Sequence, residues 1–271
     1  MLSDRLKALL VPAVRPILSG IHRLKDAHKG DSCYLFGNGI SLKWFDLSAF
    51  GGKISIGCSY IPFHRDFRML DARYMLLAEP WWFYPLEYTT GENPRYIRNR
   101  IQSVYRDVIR LNQETDFFVN ISNYPVLHEK NITYVFRDIY DDRLPIDFIT
   151  RKINCFEGSL RMSILLAVYM GFSHCFLVGY DYTHVPSRSL HFYEKGTGVF
   201  CPIERYNQVF FQLAKQYIDI TTITLDGSSE YLDAVTYRDY TGKAPVYREN
   251  TELVDEKYLN VLSTWPGYTI F

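Results

Sequence analysis

The chain has 271 residues, 47% hydrophobic and 22% charged, which are the values of a globular protein able to bury one sizeable core. Thirty basic residues balance thirty acidic ones, so the basic excess of a nucleic-acid binder is missing. The five cysteines (Cys33, Cys58, Cys155, Cys175, Cys201) are odd in number and widely spaced, with no CxxC pair, which argues against a disulfide framework and for a reducing compartment.

Residues 1–31 show apolar positions at helical spacing: Leu6, Leu9, Leu10, Ala13, Ile17, Ile21 and Leu24. Basic residues outnumber acidic ones six to three there, and Pro12 and Pro16 break the pattern into two pieces. This amphipathic segment fits a helix docked on the body or on a second subunit, or a helix lying on an anionic membrane surface. Charges at Asp4, Arg5 and Lys7 interrupt any signal peptide, and no apolar run is long enough to span a bilayer.

From residue 32 the pattern becomes α/β. Strands are expected at 33–36, 53–58, 74–80, 116–122, 132–138, 174–182 and 220–225, with helices at 157–170 and 202–217, the second starting at Pro202. Gly171 closes the first of these helices, and Leu160, Ile164, Leu165 and Val168 supply its apolar face. Residues 85–112 and 183–200 read as long connections of the kind that form lids or binding loops. Strands alternating with helices predict a Rossmann-like, mostly parallel sheet covered on both faces, with ligands at the carboxyl ends of its strands. The expected division is an N-terminal helical segment 1–31, a catalytic domain 32–225 and a C-terminal extension 226–271. In the extension Tyr231, Tyr237 and Tyr240 either line an acceptor site or pack.

Three clusters fall where such a sheet places its site. The first is "FGNGISL", where Gly37 and Gly39 flank Asn38 in the turn after the first strand. A glycine pair lets backbone N–H groups approach an anion. It is neither the dinucleotide fingerprint, since Leu42 takes the third glycine position, nor a P-loop. Ser59 and Glu79 follow the next two strands. The second cluster opens the 157–170 helix with Gly158 and Ser159, an ordinary N-cap or an anion site. The third, "GYDYTHVPSRSLHFYEKGTG", carries Asp181, Tyr182, His184, Arg188, His191 and Tyr193 beyond a buried strand. A histidine among such partners suits general base chemistry near neutral pH. The spacing of His184 and His191 is not a zinc signature, so no metal site is expected.

In this order the clusters resemble the bacterial sialyltransferases that decorate lipooligosaccharide with CMP-activated sialic acid on a single Rossmann-like, GT-A-like domain. "FGNGISL" looks like their Gly-Asn-Gly-Pro-Ser-Leu with Ile40 in place of Pro. "EGSLRMSILLAVYMGFSHCFLVGYDY" looks like their Ser-Gly helix and strand end. "LHFYEKG" looks like the segment bearing their catalytic histidine, and also like a motif of 6-hydroxymethylpterin pyrophosphokinase-like proteins, a family that includes flagellin-glycosylation factors. The resemblance spans roughly residues 32–225. It implies an inverting, metal-independent transferase that uses no cofactor. The CMP-sugar donor is a substrate, and the sialic-acid-like sugar passes to a surface-glycan acceptor. The implied setting is cytoplasmic, at the inner face of the membrane, in a homo-oligomer.

By the same resemblance Asn38 binds CMP and Gly37 and Gly39 shape its turn. Ser159, beside Gly158, holds donor phosphate or carboxylate, Tyr182 and Tyr193 steady the departing phosphate, and His191 takes the acceptor proton. Ser59 and Glu79 stand where the family carries Asn. The family's Arg before the Ser-Gly pair is missing, with Arg161 the available replacement. Asp181, Arg188 and His184 complete the expected nucleotide and substrate contacts. The other readings are an ATP- and Mg-dependent pyrophosphokinase and a non-catalytic scaffold.

Overall fold

The structure, a computed structural model, describes residues 14–77, 79–84, 87–89, 96–98, 100–135, 158–201 and 208–271. Residues 1–13, the start of the 202–217 helix, the end of the 132–138 strand, Cys155 and Glu157 lie outside the described residues.

Eight parallel strands form the main sheet, numbered here in chain order. They are β1 (Ser32–Phe36), β2 (Ile54–Cys58), β3 (Asp71–Leu77), β4 (Asp116–Asn120), β5 (Ile132–Val135), β6 (His174–Val178), β7 (Asp219–Thr224) and β8 (Asp233–Thr236). The order across the sheet is β8-β7-β6-β1-β2-β3-β4-β5. The chain moves outward from β1 to β5, then returns to the other side of β1 with β6. The topological switch point therefore falls between β1 and β6, where such sheets open a crevice. This is the Rossmann-like α/β fold that the alternation predicts. The C-terminal extension adds β8 at the edge of the sheet, outside β7.

Successive side chains of a strand point to opposite faces, so the sheet buries two cores. Cys33 and Leu35 of β1 face the cluster under α2 (Ser159–Tyr169) and α3 (Gln208–Ala214). Tyr34 and Phe36 face the other cluster, which holds Phe45, Phe50 and Tyr237. The 85–112 connection contains α1 (Ile101–Leu111), which buries Ile101, Tyr105, Val108 and Ile109 at helical spacing against the second core.

Ile17 and Leu18 pack against the second core, and the N-terminal segment is part of the body from there onward. Ser19–Leu24 is a 3₁₀ turn that buries Ile21 and Leu24 in the first core. Arg23 pairs with Asp116 and donates to the Thr133 hydroxyl at 2.9 Å. His28 stacks on Phe172 at 4.7 Å. Docking on the body thus holds for residues 17–31, and no helix among the described residues is long and apolar enough to cross a membrane.

The C-terminal extension is fastened through Lys43, whose side chain is fully buried. Its ammonium pairs with Glu249 and donates to the Gly196 carbonyl at 2.7 Å. Glu249 also accepts from the Gly196 and Asn250 N–H groups and from the Tyr247 hydroxyl. Tyr237 stacks on Phe45 at 4.6 Å and Tyr240 shares a 2.9 Å hydrogen bond with Tyr34. Those two tyrosines pack, which decides between the alternatives left open for them.

Candidate active site

At the switch point the two strand ends do not part. The Gly37 N–H donates to the Val178 carbonyl at 2.8 Å and the Gly39 N–H to the Gly179 carbonyl at 2.7 Å. The glycine turn therefore runs directly against residues 179–181. A Cβ at Gly37 would collide with the Gly179 carbonyl, and one at Gly39 would lie 2.6 Å from that oxygen and from Cγ of Asp181. The glycines permit this close approach of two backbones. The carboxylate that meets the turn is internal: the Ser41 N–H and hydroxyl donate to Asp181 at 2.8 and 2.5 Å. Asp181 is buried, which pushes its carboxyl up against the opposing pull of His184 and Ser41. Nor does the turn start an α-helix, since Ile40–Trp44 and Leu47–Phe50 are short 3₁₀ pieces. The turn is thus a packed joint, and the 3₁₀ pieces after it give an anion no α-helix N-terminus there.

Gly37→Ala is expected to destabilise the fold by about 1–3 kcal/mol, the cost of forcing apart a packed interior. Urea unfolding checks it, and an unchanged midpoint would show that the two turns are not in contact.

With the β1/β6 crevice closed, the open space lies over the ends of β1, β2 and β3. A cleft of about 720 Å³ is lined there by Asn38, Gly39, Ser59, Glu79, Ser159, Asp181, Tyr182, Arg188, His191 and Tyr193 among others. Gly37, Gly158, Arg161 and His184 are not on its lining. Arg161 is buried on α2, its guanidinium 5.7 Å from the Phe210 ring centre. It faces the helix-packed core beside Phe210. His184 is buried under the turn, where burial lowers its pKa against the attraction of Asp181 and Asp226.

Asn38 braces the floor. Its side-chain oxygen accepts from the Tyr60 N–H at 3.2 Å, and its amide reaches Sγ of Cys58 at 3.6 Å. Burial pushes the Cys58 thiol up to about 11, so it stays protonated. Ser59 has a left-handed backbone, φ +47°, and its carbonyl accepts from the Tyr105 hydroxyl. Leu190, just before His191, is also left-handed at φ +77°. A non-glycine residue so placed costs of order 1–3 kcal/mol and is held by its surroundings, as is common at functional sites.

The cap of α2 is Gly158, φ +81°, not Ser159. Ser159 is the first helical residue and lies on the cleft lining. The N–H groups of the first turn and the positive end of the dipole therefore face the cleft from an eleven-residue helix.

His191 carries the clearest chemistry. Its Nδ1 lies 2.7 Å from Oε1 of Glu194, and its own N–H donates to the same oxygen at 3.0 Å. Glu194 Oε2 accepts from the Thr269 N–H at 3.1 Å. Burial works against this carboxylate, but His191 and Thr269 outweigh it and hold Glu194 below its ordinary pKa. A carboxylate at Nδ1 fixes the proton there and leaves Nε2 as the basic nitrogen. The ring is stacked on Tyr193, centroids 5.0 Å apart and 4° from parallel, while the His191 side chain is 43% exposed. The loop is pinned by bridging of His191 to Gly39 and by a Phe192 N–H bond to the Asn38 carbonyl at 3.1 Å.

Residues the motifs did not point to complete the cleft: Tyr60, Trp82, Trp265 and Tyr268. Burial raises the Tyr60 and Tyr193 phenols well above their ordinary value, with Tyr268 adding to it, so both remain neutral donors. Glu194 itself was also unremarked, although its place three residues after His191 was a visible signal. Among the described residues no group of three or more His, Cys, Asp or Glu is placed to hold a metal ion.

The fold and cleft define a Rossmann-like α/β protein with a carboxylate-supported histidine at the strand ends. No family model and no curated protein matches the chain. Two solved structures are similar in outline. One is the sialyltransferase CstII from Campylobacter jejuni in complex with a substrate analogue, cytidine-5'-monophosphate. It is 11% identical, with TM-score 0.44, covering 87% of this chain and 98% of that one. The other is a mutant of the alpha-2,3/8-sialyltransferase CstII, 11% identical, TM-score 0.39, covering 84% and 98%.

Proposed function

We propose that the protein is an inverting glycosyltransferase that takes a sugar from a CMP-activated donor, with His191 as general base. The observation that carries this reading is the His191–Glu194 pair at the edge of the cleft. In the reaction an acceptor hydroxyl attacks the anomeric carbon while the bond from that carbon to the phosphate oxygen breaks. The acceptor proton passes to His191 Nε2, and Glu194 stabilises the imidazolium that results. The electron pair leaves with CMP. Its developing charge meets the first turn of α2, Ser159 and the Tyr182 hydroxyl, which are oriented in advance and need no metal. Tyr182 stands at the rim, 45% exposed.

Glu79 on the lining favours cytosine over uracil in this reading. A carboxylate only accepts, so it suits the exocyclic amino group of cytosine and is repelled by the carbonyl that uracil has at that position.

The test is thermal unfolding with CMP, UMP and ATP, each with and without Mg²⁺. CMP without metal should stabilise the protein by about 2.7 kcal/mol at a hundred times its Kd. Stabilisation only by ATP with Mg²⁺ would move the protein to the pyrophosphokinase class, and the absence of any nucleotide effect would make it a scaffold.

A further inference from the structure

One wall of the cleft is aromatic and has no part in the donor contacts proposed above. Tyr268 meets the His191 ring edge-on, centroids 5.7 Å apart, and crosses Tyr193 at 5.0 Å. Trp265 lies 6.5 Å from Tyr268 at 38°. Tyr60 continues the arc at 6.2 Å from Tyr268, and Trp82 extends it at 5.7 Å from Tyr60. All of these rings line the same cleft. Trp265 and Tyr268 are half-buried, so each keeps surface for a ligand.

We infer that Trp265 and Tyr268 form the acceptor subsite and that the acceptor presents a pyranose ring, stacked by its C–H face on the Trp265–Tyr268 wall. This inference rests on the transferase reading above. Position decides that the wall serves the acceptor. A molecule on Tyr268 lies within reach of His191, the group that must take a proton from the attacking hydroxyl. The donor phosphate, by contrast, belongs at the first turn of α2. Chemistry decides the class of ligand. A pyranose has one face of C–H groups that an aromatic ring covers without stripping water from hydroxyls, and hydroxyls at its edge that reach polar partners.

The wall is held in place by specific bonds. The Lys195 N–H donates to the Thr269 carbonyl at 2.7 Å, and the Asn250 amide donates at 3.0 Å to both the Tyr193 and Ile270 carbonyls. The segment 265–270 is thus tied to the loop that carries the base.

Saturation-transfer NMR with methyl β-glucoside and methyl β-galactoside tests the subsite on the full chain. The wild type should saturate at least one glycoside, with C–H protons of one ring face receiving the most. Trp265→Ala should raise its dissociation constant about tenfold, and Trp265→Phe should recover most of the loss. Stabilisation by CMP should be the same in all three proteins. Absence of saturation by both glycosides, or equal affinity in the wild type and Trp265→Ala, overturns the subsite. Glycoside binding that depends on Trp265 in a protein that CMP does not stabilise keeps the sugar subsite and removes the CMP donor.

Discussion

Replacing His191 with Ala is expected to lower sugar transfer about 10²–10⁴-fold, the usual worth of a positioned general base. Stabilisation by CMP should persist, because the expected phosphate contacts come from α2 and Tyr182. Fold stability should fall only modestly, since the His191 side chain is 43% exposed and the buried Glu194 carboxylate that loses it keeps the residue-191 and Thr269 N–H donors. The measurement is kcat for transfer beside nucleotide-dependent melting. Unaltered kcat would take His191 out of the base role. Loss of nucleotide binding together with activity would show that the substitution had disturbed the Gly39 bridge instead.

Removing the Glu249 side chain should have the largest effect on stability. Glu249→Ala takes the carboxylate from the fully buried Lys43 ammonium and leaves it bonded to the Gly196 carbonyl. Losing one partner of such a pair costs about 3–5 kcal/mol, and the low end is expected because the Glu249 side chain is 34% exposed. Burial opposes the Glu249 charge, yet Lys43, the Asn250 N–H and Tyr247 hold its pKa down at about 2, from an ordinary 4.5. A carboxyl depressed in the folded state stabilises the fold above its unfolded value and loses that contribution as pH falls. The wild type should therefore lose stability progressively between about pH 4.5 and pH 2, a loss to which Glu249→Ala contributes less. Urea midpoints at neutral and acid pH measure both effects. A variant as stable as the wild type at neutral pH would show that Lys43 finds another partner.

The sheet was legible because buried parallel strands are short apolar runs between helical patterns, and "YLF" and "CFLV" stand out as such. β8 was not, since "DAVT" is an edge strand of two exposed and two half-covered residues with no apolar run. The Gly-Asn-Gly turn was visible, but its reason was not. The atoms that forbid a Cβ there belong to Gly179, Tyr180 and Asp181, far along the chain. Arg161 was the available replacement for the Arg that the resemblance implies, and only the structure shows that the helix turns it toward Phe210. Trp265 and Tyr268 belong to a stretch without a readable motif, which tertiary bonds with Asn250, Glu194 and Lys195 bring to His191.

The joint between the two glycine turns also bears on how the molecule comes to be folded. Cys33 of β1 sits beside Cys175 of β6, so the centre of the sheet waits for a segment made much later. Closing a loop of that length is an entropic search that local structure cannot shorten. The cleft floor lies across this seam, with Asn38 on one side and Tyr180 on the other, and neither half of the chain contains a cleft by itself. During refolding, helical signal should return first and catalytic turnover only with the final closure. Turnover is thus a clock for the last long-range step.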